Sequence, residues 1–258
     1  MYQFIEYSEE NRIAWISLNR PDKRNALNDV VVAELRDAFE RASNSPHAKV
    51  VVLRGNGPAF CAGADLEYLQ RMQGFTLDQN LADSSALADL MLTIYKLPKV
   101  VIALVQGPAV AGGCGLVTVC DFAFATPDST FGYTEVRIGF VPAIVMAFLL
   151  RKAGETRAKE LMLSGMLISA SKAMSYNLIT DVLPEADIEE AVKTFCEKLN
   201  TQNSAASMAF TKKMIADIQD LPLDAAIKFA ARMNAHARNS EDCKRGVAAF
   251  LDKEPLTW

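Results

Sequence analysis

Two short runs of small residues are where this chain best exposes its backbone for chemistry. Ala62-Gly63-Ala64-Asp65 and Ala111-Gly112-Gly113 each follow a strand-like apolar run and lead into a helix. The first N–H groups of a helix lack an intrahelical acceptor and lie at the positive end of its dipole. Small side chains let a ligand come close to that backbone. The same composition also serves tight turns in which glycine is needed for geometry or packing alone. A phosphate loop is not indicated, because GxxxxGK[ST] is absent and no GxGxxG follows a strand. Only His47 and His236 could supply imidazoles, and there is no HExxH and no Cys/His cluster, which argues against a zinc site. Cys61, Cys114, Cys120, Cys196 and Cys243 are an odd, scattered set without CxxC. They read as reduced thiols of a cytoplasmic protein, with Cys61 and Cys114 as small apolar fillers.

These turns need a framework, and the composition provides for one. The chain has 258 residues, half of them hydrophobic, with a net charge of −4. That suits one large folded domain and gives no basic face for nucleic acid. The longest strongly apolar stretch, Phe140 to Leu150, is too short to span a bilayer, and the N-terminus shows no secretory signal. Strands are predicted at Ile13–Leu18, Lys49–Arg54, Lys99–Gln106 and Phe122–Ala125. Helices are predicted from Asn28, from near Asp65, over Asp78–Leu97 and over Leu116–Cys120. Strand–helix alternation of this kind indicates an α/β domain with mostly parallel sheet. From Ile144 the pattern is helical through Asp242–Leu251, so an α/β core (1–195) is followed by a helical region (196–258).

Several strings, in order along nearly the whole chain, resemble the crotonase (enoyl-CoA hydratase/isomerase) family. Ala59-Phe60-Cys61-Ala62-Gly63-Ala64-Asp65-Leu66 resembles its AFCAGADL signature, and Gly107 to Leu116 its GxAxGGGxxL segment. Asn19 to Leu27 matches NRPxxxNAL, Cys120 to Ala125 the CDxxxA strand, Phe131 to Val136 the FGxxEv segment, and Phe250 to Lys253 the C-terminal FxxK.

The resemblance implies a crotonase-type spiral of ββα units with two nearly perpendicular sheets, then a C-terminal helical region that makes a homotrimer or a dimer of trimers. It implies an acyl-CoA thioester substrate whose enolate is held by two backbone N–H donors, here Ala64 and Gly112. Such donors act most strongly on charge that appears only in the transition state. CoA is part of the substrate, and no metal or other cofactor is implied. Lys23, Arg24, Ala26, Ala62, Asp65 and Leu66 match positions around CoA, and Phe250 and Lys253 match positions that reach it, often from a neighbouring subunit.

Glu135 matches the second of the two hydratase glutamates and is the expected acid/base; read without the resemblance, it is a solvated carboxylate near a helix start. The first glutamate's position holds Gly115, and the triple glycine begins with Ala111. Ile144 and Val145 stand where many members have glycine, which would narrow the acyl pocket, exclude water or only repack the core. The leading expectation is an enoyl-CoA hydratase, for a linear chain or a branched one such as methylglutaconyl-CoA. The alternatives are a Δ3,Δ2-enoyl-CoA isomerase using Glu135 alone, and a non-catalytic acyl-CoA-binding protein.

Overall fold

The computed structural model describes residues 2–258. A six-stranded sheet has the order β1-β2-β3-β4-β6-β9: Ile5–Glu10, Ile13–Leu18, Val50–Gly55, Val100–Val105, Phe122–Ala125 and Asp181–Val182. Only the β1/β2 pair is antiparallel. Its two-residue turn puts Asn11 and Arg12 at φ 51° and 63°, as a tight hairpin requires. The sequence reading missed β1, because IEYSEE is an edge strand with mostly polar residues.

Alternate residues of the central strands serve two different cores. Val51 and Leu53 face α1 (Asp29–Asn44), α3 (Leu77–Lys96), α4 (Gly112–Val119) and α5 (Ala143–Ser164). Val50 and Val52 face α7 (Ile188–Gln202), which places Ile188, Val192, Cys196 and Leu199 on them. Burial on both faces is why these strands read as continuous apolar runs rather than alternating ones. Residue 196, the expected start of the helical region, lies within α7.

A second sheet is small: β5 (Ala109–Val110), β7 (Thr130–Gly132) and β8 (Ile168–Ser169). It carries the segments that lead into α4 and toward Glu135. The helices α2 (Leu66–Met72), α6 (Ala170–Ser175), α8 (Ala205–Ile218), α9 (Leu223–Arg238) and α10 (Glu241–Asp252) complete the chain. α5 consists of two helical segments that meet at a kink at Gly154, where φ is 78° and ψ 167°. No helix of the described residues is long and apolar enough to cross a membrane.

Candidate active site

Three chain segments are laced together to form the site. The Cys61 N–H donates to the Pro108 carbonyl (3.1 Å) and the Val110 N–H to the Cys61 carbonyl (2.9 Å), which joins the first small-residue turn to β5. On its other side, the Leu27 N–H donates to the Gly63 carbonyl (2.7 Å) and the Asp65 N–H to the Leu27 carbonyl (2.8 Å). The Gly63 carbonyl therefore points at Leu27. Because the peptide is trans, the Ala64 N–H points away from Leu27. A side-chain carbon on Gly63 would sit 2.7 Å from Ala111 Cβ and 3.5 Å from Gly112 N, so the two turns abut. With φ at +90° as well, Gly63 is required by both conformation and space.

Gly112 is the first residue of α4, so its N–H has no acceptor within the helix. Among the described residues, neither the Ala64 nor the Gly112 N–H donates a hydrogen bond to the protein. Ala64 is exposed and Gly112 half-buried, so both N–H groups are open to an external acceptor. The glycine-rich segment itself makes the first turn of α4, which starts at Gly112 rather than near Leu116. Gly113 is needed for close packing, since a Cβ there would meet the Cys61 carbonyl oxygen at 2.2 Å.

Ala111, the helix cap, is held at φ 52°, ψ −123°, a conformation that residues with a Cβ rarely adopt. The bond from its N–H to the Gly132 carbonyl (2.8 Å) anchors it to β7.

Three residues beyond Gly132 stands Glu135, the first residue of a 3-10 turn over Glu135–Ile138. Its Oε2 is buried with no hydrogen-bond partner. Burial raises its pKa above the usual carboxylate value, only partly opposed by its own backbone N–H. Behind it, the hydroxyls of Thr118 and Tyr133 share a 2.6 Å hydrogen bond, and Thr118 Oγ1 donates to the Cys114 carbonyl (2.8 Å). These bonds fix the Glu135 segment to α4. Burial pushes the Cys61 and Cys114 thiols up to about 12, so both stay protonated fillers.

Gly115 faces Val145. An added Cβ on Gly115 would lie 2.3 Å from Val145 Cγ1 and 3.4 Å from Met91 Cε. The bulk at Val145 thus fills the core over Gly115, and Val145 is almost fully buried.

The profile described as enoyl-CoA hydratase/isomerase matches residues 8–258. A Thermus thermophilus protein named provisionally as an enoyl-CoA hydratase is 36% identical over 96% of this chain and 97% of its own length. The chain belongs to the enoyl-CoA hydratase/isomerase family. An enoyl-CoA hydratase structure from Shewanella pealeana superposes with a TM-score of 0.94 at 30% identity, covering 99% of this chain and 96% of that one. One from Bacillus anthracis gives 0.91 at 29% identity, covering 99% of each. The fold is therefore crotonase-type, and the chain is an enzyme of this family.

Within that family fold, the segment carrying Lys23, Arg24 and Ala26 lies directly against the first turn, and Ala62 N–H donates to the Arg24 carbonyl (3.0 Å). Asn25 locks this loop: its Nδ2 donates to the Asn56 and Ala59 carbonyls, and its Oδ1 accepts from the Arg20 N–H. Lys23 is exposed and paired with Glu67 at 2.5 Å, whereas the exposed Arg24 side chain makes no ion pair among the described residues. Asp65 is fully engaged within the protein. Its Oδ1 caps α2 by accepting from Glu67 and Tyr68 N–H, and its Oδ2 meets Arg20 at 2.6 Å. It shapes the turn, while Leu66 beside it is 73% exposed.

Phe250 and Lys253 are not brought to these residues. Phe250 is 84% exposed on α10, and Lys253 is that helix's left-handed C-cap. Sequence reasoning missed the Thr118–Tyr133 bond and the Gly115–Val145 contact. The second had a visible signal, because an extra glycine and an extra bulky residue entered the same chain.

Proposed function

We propose that this enzyme hydrates a 2-enoyl-CoA thioester with Glu135 as its single carboxylate and the Ala64 and Gly112 N–H groups as its oxyanion donors. The observation that carries the reading is Glu135 Oε2, a buried carboxylate oxygen without a partner, tied through Gly132 and Ala111 to the turn bearing Gly112. A buried carboxyl oxygen with no partner in the protein is available to a bound water or substrate proton.

In the proposed step, Glu135 takes a proton from water as the water oxygen bonds to Cβ. The Cα=Cβ electron pair moves to Cα and onto the thioester oxygen, where the two N–H donors hold the negative charge. The carboxyl group then returns the proton to Cα. Water and enoyl thioester combine to give the 3-hydroxyacyl-CoA, and the step balances with CoA as part of the substrate and no further cofactor. The names of the Thermus, Shewanella and Bacillus relatives support hydration. Arg24 and Lys23, beside the first turn, are the cations in this reading that meet the CoA phosphates.

A second reading is favoured by one observation. Gly115 supplies no carboxylate, and Val145 occupies the space above it. A site with one carboxylate suffices for Δ3,Δ2 isomerisation, in which Glu135 removes a proton from C2 of a 3-enoyl thioester and returns it at C4. The test is a panel of 2-enoyl, 3-enoyl and 3-methylglutaconyl thioesters with product identification. Hydration is expected for a 2-enoyl substrate. Conversion of 3-enoyl substrates alone would replace hydration by isomerisation, and turnover of neither class would overturn the enolate reading.

A further inference from the structure

Buried and half-buried lysines cap several helix C-termini of this protein. Lys99 Nζ donates to the Ala42 and Ser45 carbonyls at the end of α1, both at 2.6 Å. Lys49 Nζ donates to the Asn200 and Asn203 carbonyls at the end of α7. Lys212 Nζ reaches the Ile94 carbonyl near the end of α3, and it also pairs with Asp121 at 2.6 Å. Lys152, from α5, does the same for α4: its Nζ donates to the carbonyls of Thr118 (3.1 Å) and Cys120 (2.8 Å).

Lys152 differs from the others in what lies at the far end of its helix. The first N–H of α4 is that of Gly112, and α4 has eight residues, which puts its two ends about 12 Å apart. The residues after Gly112 in α4 are all buried. No carboxylate among the described residues pairs with Lys152, and the nearby Asp121 is taken by Lys212 and by the Val101 N–H. A cation at the C-terminus cancels the negative end of the helix dipole. A protonated Lys152 would leave the positive N-terminal end of α4 uncancelled at the atoms that Gly112 faces.

We propose that Lys152 is a positioning residue for the oxyanion donor: it holds α4 from behind and adds its charge to the stabilisation of negative charge at the Gly112 N–H. This rests on the proposed role of Gly112. A unit charge acting over about 12 Å at an effective dielectric of about 20 gives an effect of roughly threefold to tenfold in rate.

The test compares wild type with Lys152→Met, Lys152→Gln and Lys152→Arg. Two quantities are read: the split between kcat and KM, and the infrared stretch of a carbon-13-labelled thioester carbonyl in bound acyl-CoA. The proposal expects kcat to fall threefold to tenfold in Met and Gln with KM within twofold. It expects binding to lower the carbonyl stretch less in those variants, and Arg to restore both readouts. Gln keeps N–H donors for the carbonyls without the charge, so it separates the charge from the cap. An unchanged stretch and kcat in a folded Met or Gln variant overturns the proposal. Failure of both neutral variants to fold, beside a folded Arg variant, assigns Lys152 to the fold and also overturns it. If wild type itself shows no lowering of the stretch, it is the oxyanion reading that fails, and the two failures are told apart.

Discussion

Replacing Gly115 by glutamate, the change that would supply a second carboxylate, is expected to fail alone and to succeed only with a partner. A Cβ at this position would lie 2.3 Å from Val145 Cγ1 and 3.3 Å from Val145 Cβ. The first distance is far inside van der Waals contact, and both residues are buried, so something must move. Overpacking of this kind costs about 1–3 kcal/mol. The helix propensity gained by removing a glycine returns only about 1 kcal/mol. Gly115→Ala should therefore destabilise the protein by up to about 2 kcal/mol. Gly115→Glu should destabilise it further, because it drives a carboxylate into the buried space between Val145 and Met91. Val145→Ala removes the 2.3 Å contact and leaves the 3.3 Å one. In that background Gly115→Ala should be nearly neutral, a coupling of up to about 2 kcal/mol between the two sites. The assay is urea denaturation of the four proteins in the Gly115→Ala and Val145→Ala cycle. Initial rates of 3-hydroxyacyl-CoA formation for Gly115→Glu, alone and with Val145→Ala, form its functional arm. Hydration should rise only in the double variant. Additive stability changes, or a Gly115→Glu protein as stable as wild type, would refute the reasoning.

Ala111→Gly should stabilise the protein by about 1–3 kcal/mol by releasing the left-handed strain at the cap of α4, read as a higher urea midpoint. Glu135→Gln should lower turnover by a factor on the order of 10²–10⁴ while CoA binding survives. Because burial raises the Glu135 pKa in the folded state, its neutral form is favoured by folding, and that contribution is lost as pH rises through the raised value. Glu135→Gln should therefore be more stable than wild type at pH 7 and equal to it at low pH, by urea midpoints at both. The apolar residues left exposed on α9 and α10, among them Leu223, Ile227, Val247, Phe250 and Leu251, are expected to be covered by neighbouring copies, and sedimentation should give a trimer or hexamer.

Much of the site was legible because its requirements are steric and local. Gly63 and Gly113 stand where any side chain would strike backbone or Ala111, and such positions leave glycines in the sequence. The buried strands announced themselves by apolar runs, and the start of α2 by Asp65, whose side chain caps it. What the sequence hid depends on contacts between distant segments. Gly115 and Val145 are thirty positions apart and signal nothing singly. Lys152 looks like a surface lysine of an amphipathic helix until α4 is placed beneath it. The N-terminus of α4 was misplaced because glycine is a poor helix former; tertiary burial outweighs that preference here. Phe250 and Lys253 were joined to the site only by the family resemblance, and within one chain their side chains sit apart from it.

The central claim is that Glu135, opposite the Ala64 and Gly112 amides, moves a proton at the α-carbon of an acyl-CoA. The direct measurement is exchange of the α-hydrogens of a saturated acyl-CoA in deuterium oxide, followed by mass spectrometry. It needs neither hydration nor isomerisation, only formation of the enolate. Wild type should introduce deuterium at Cα well above the buffer rate, and Glu135→Gln should fall to the buffer rate while still binding the thioester. Exchange by Glu135→Gln at the wild-type rate, or none by wild type, would contradict the account.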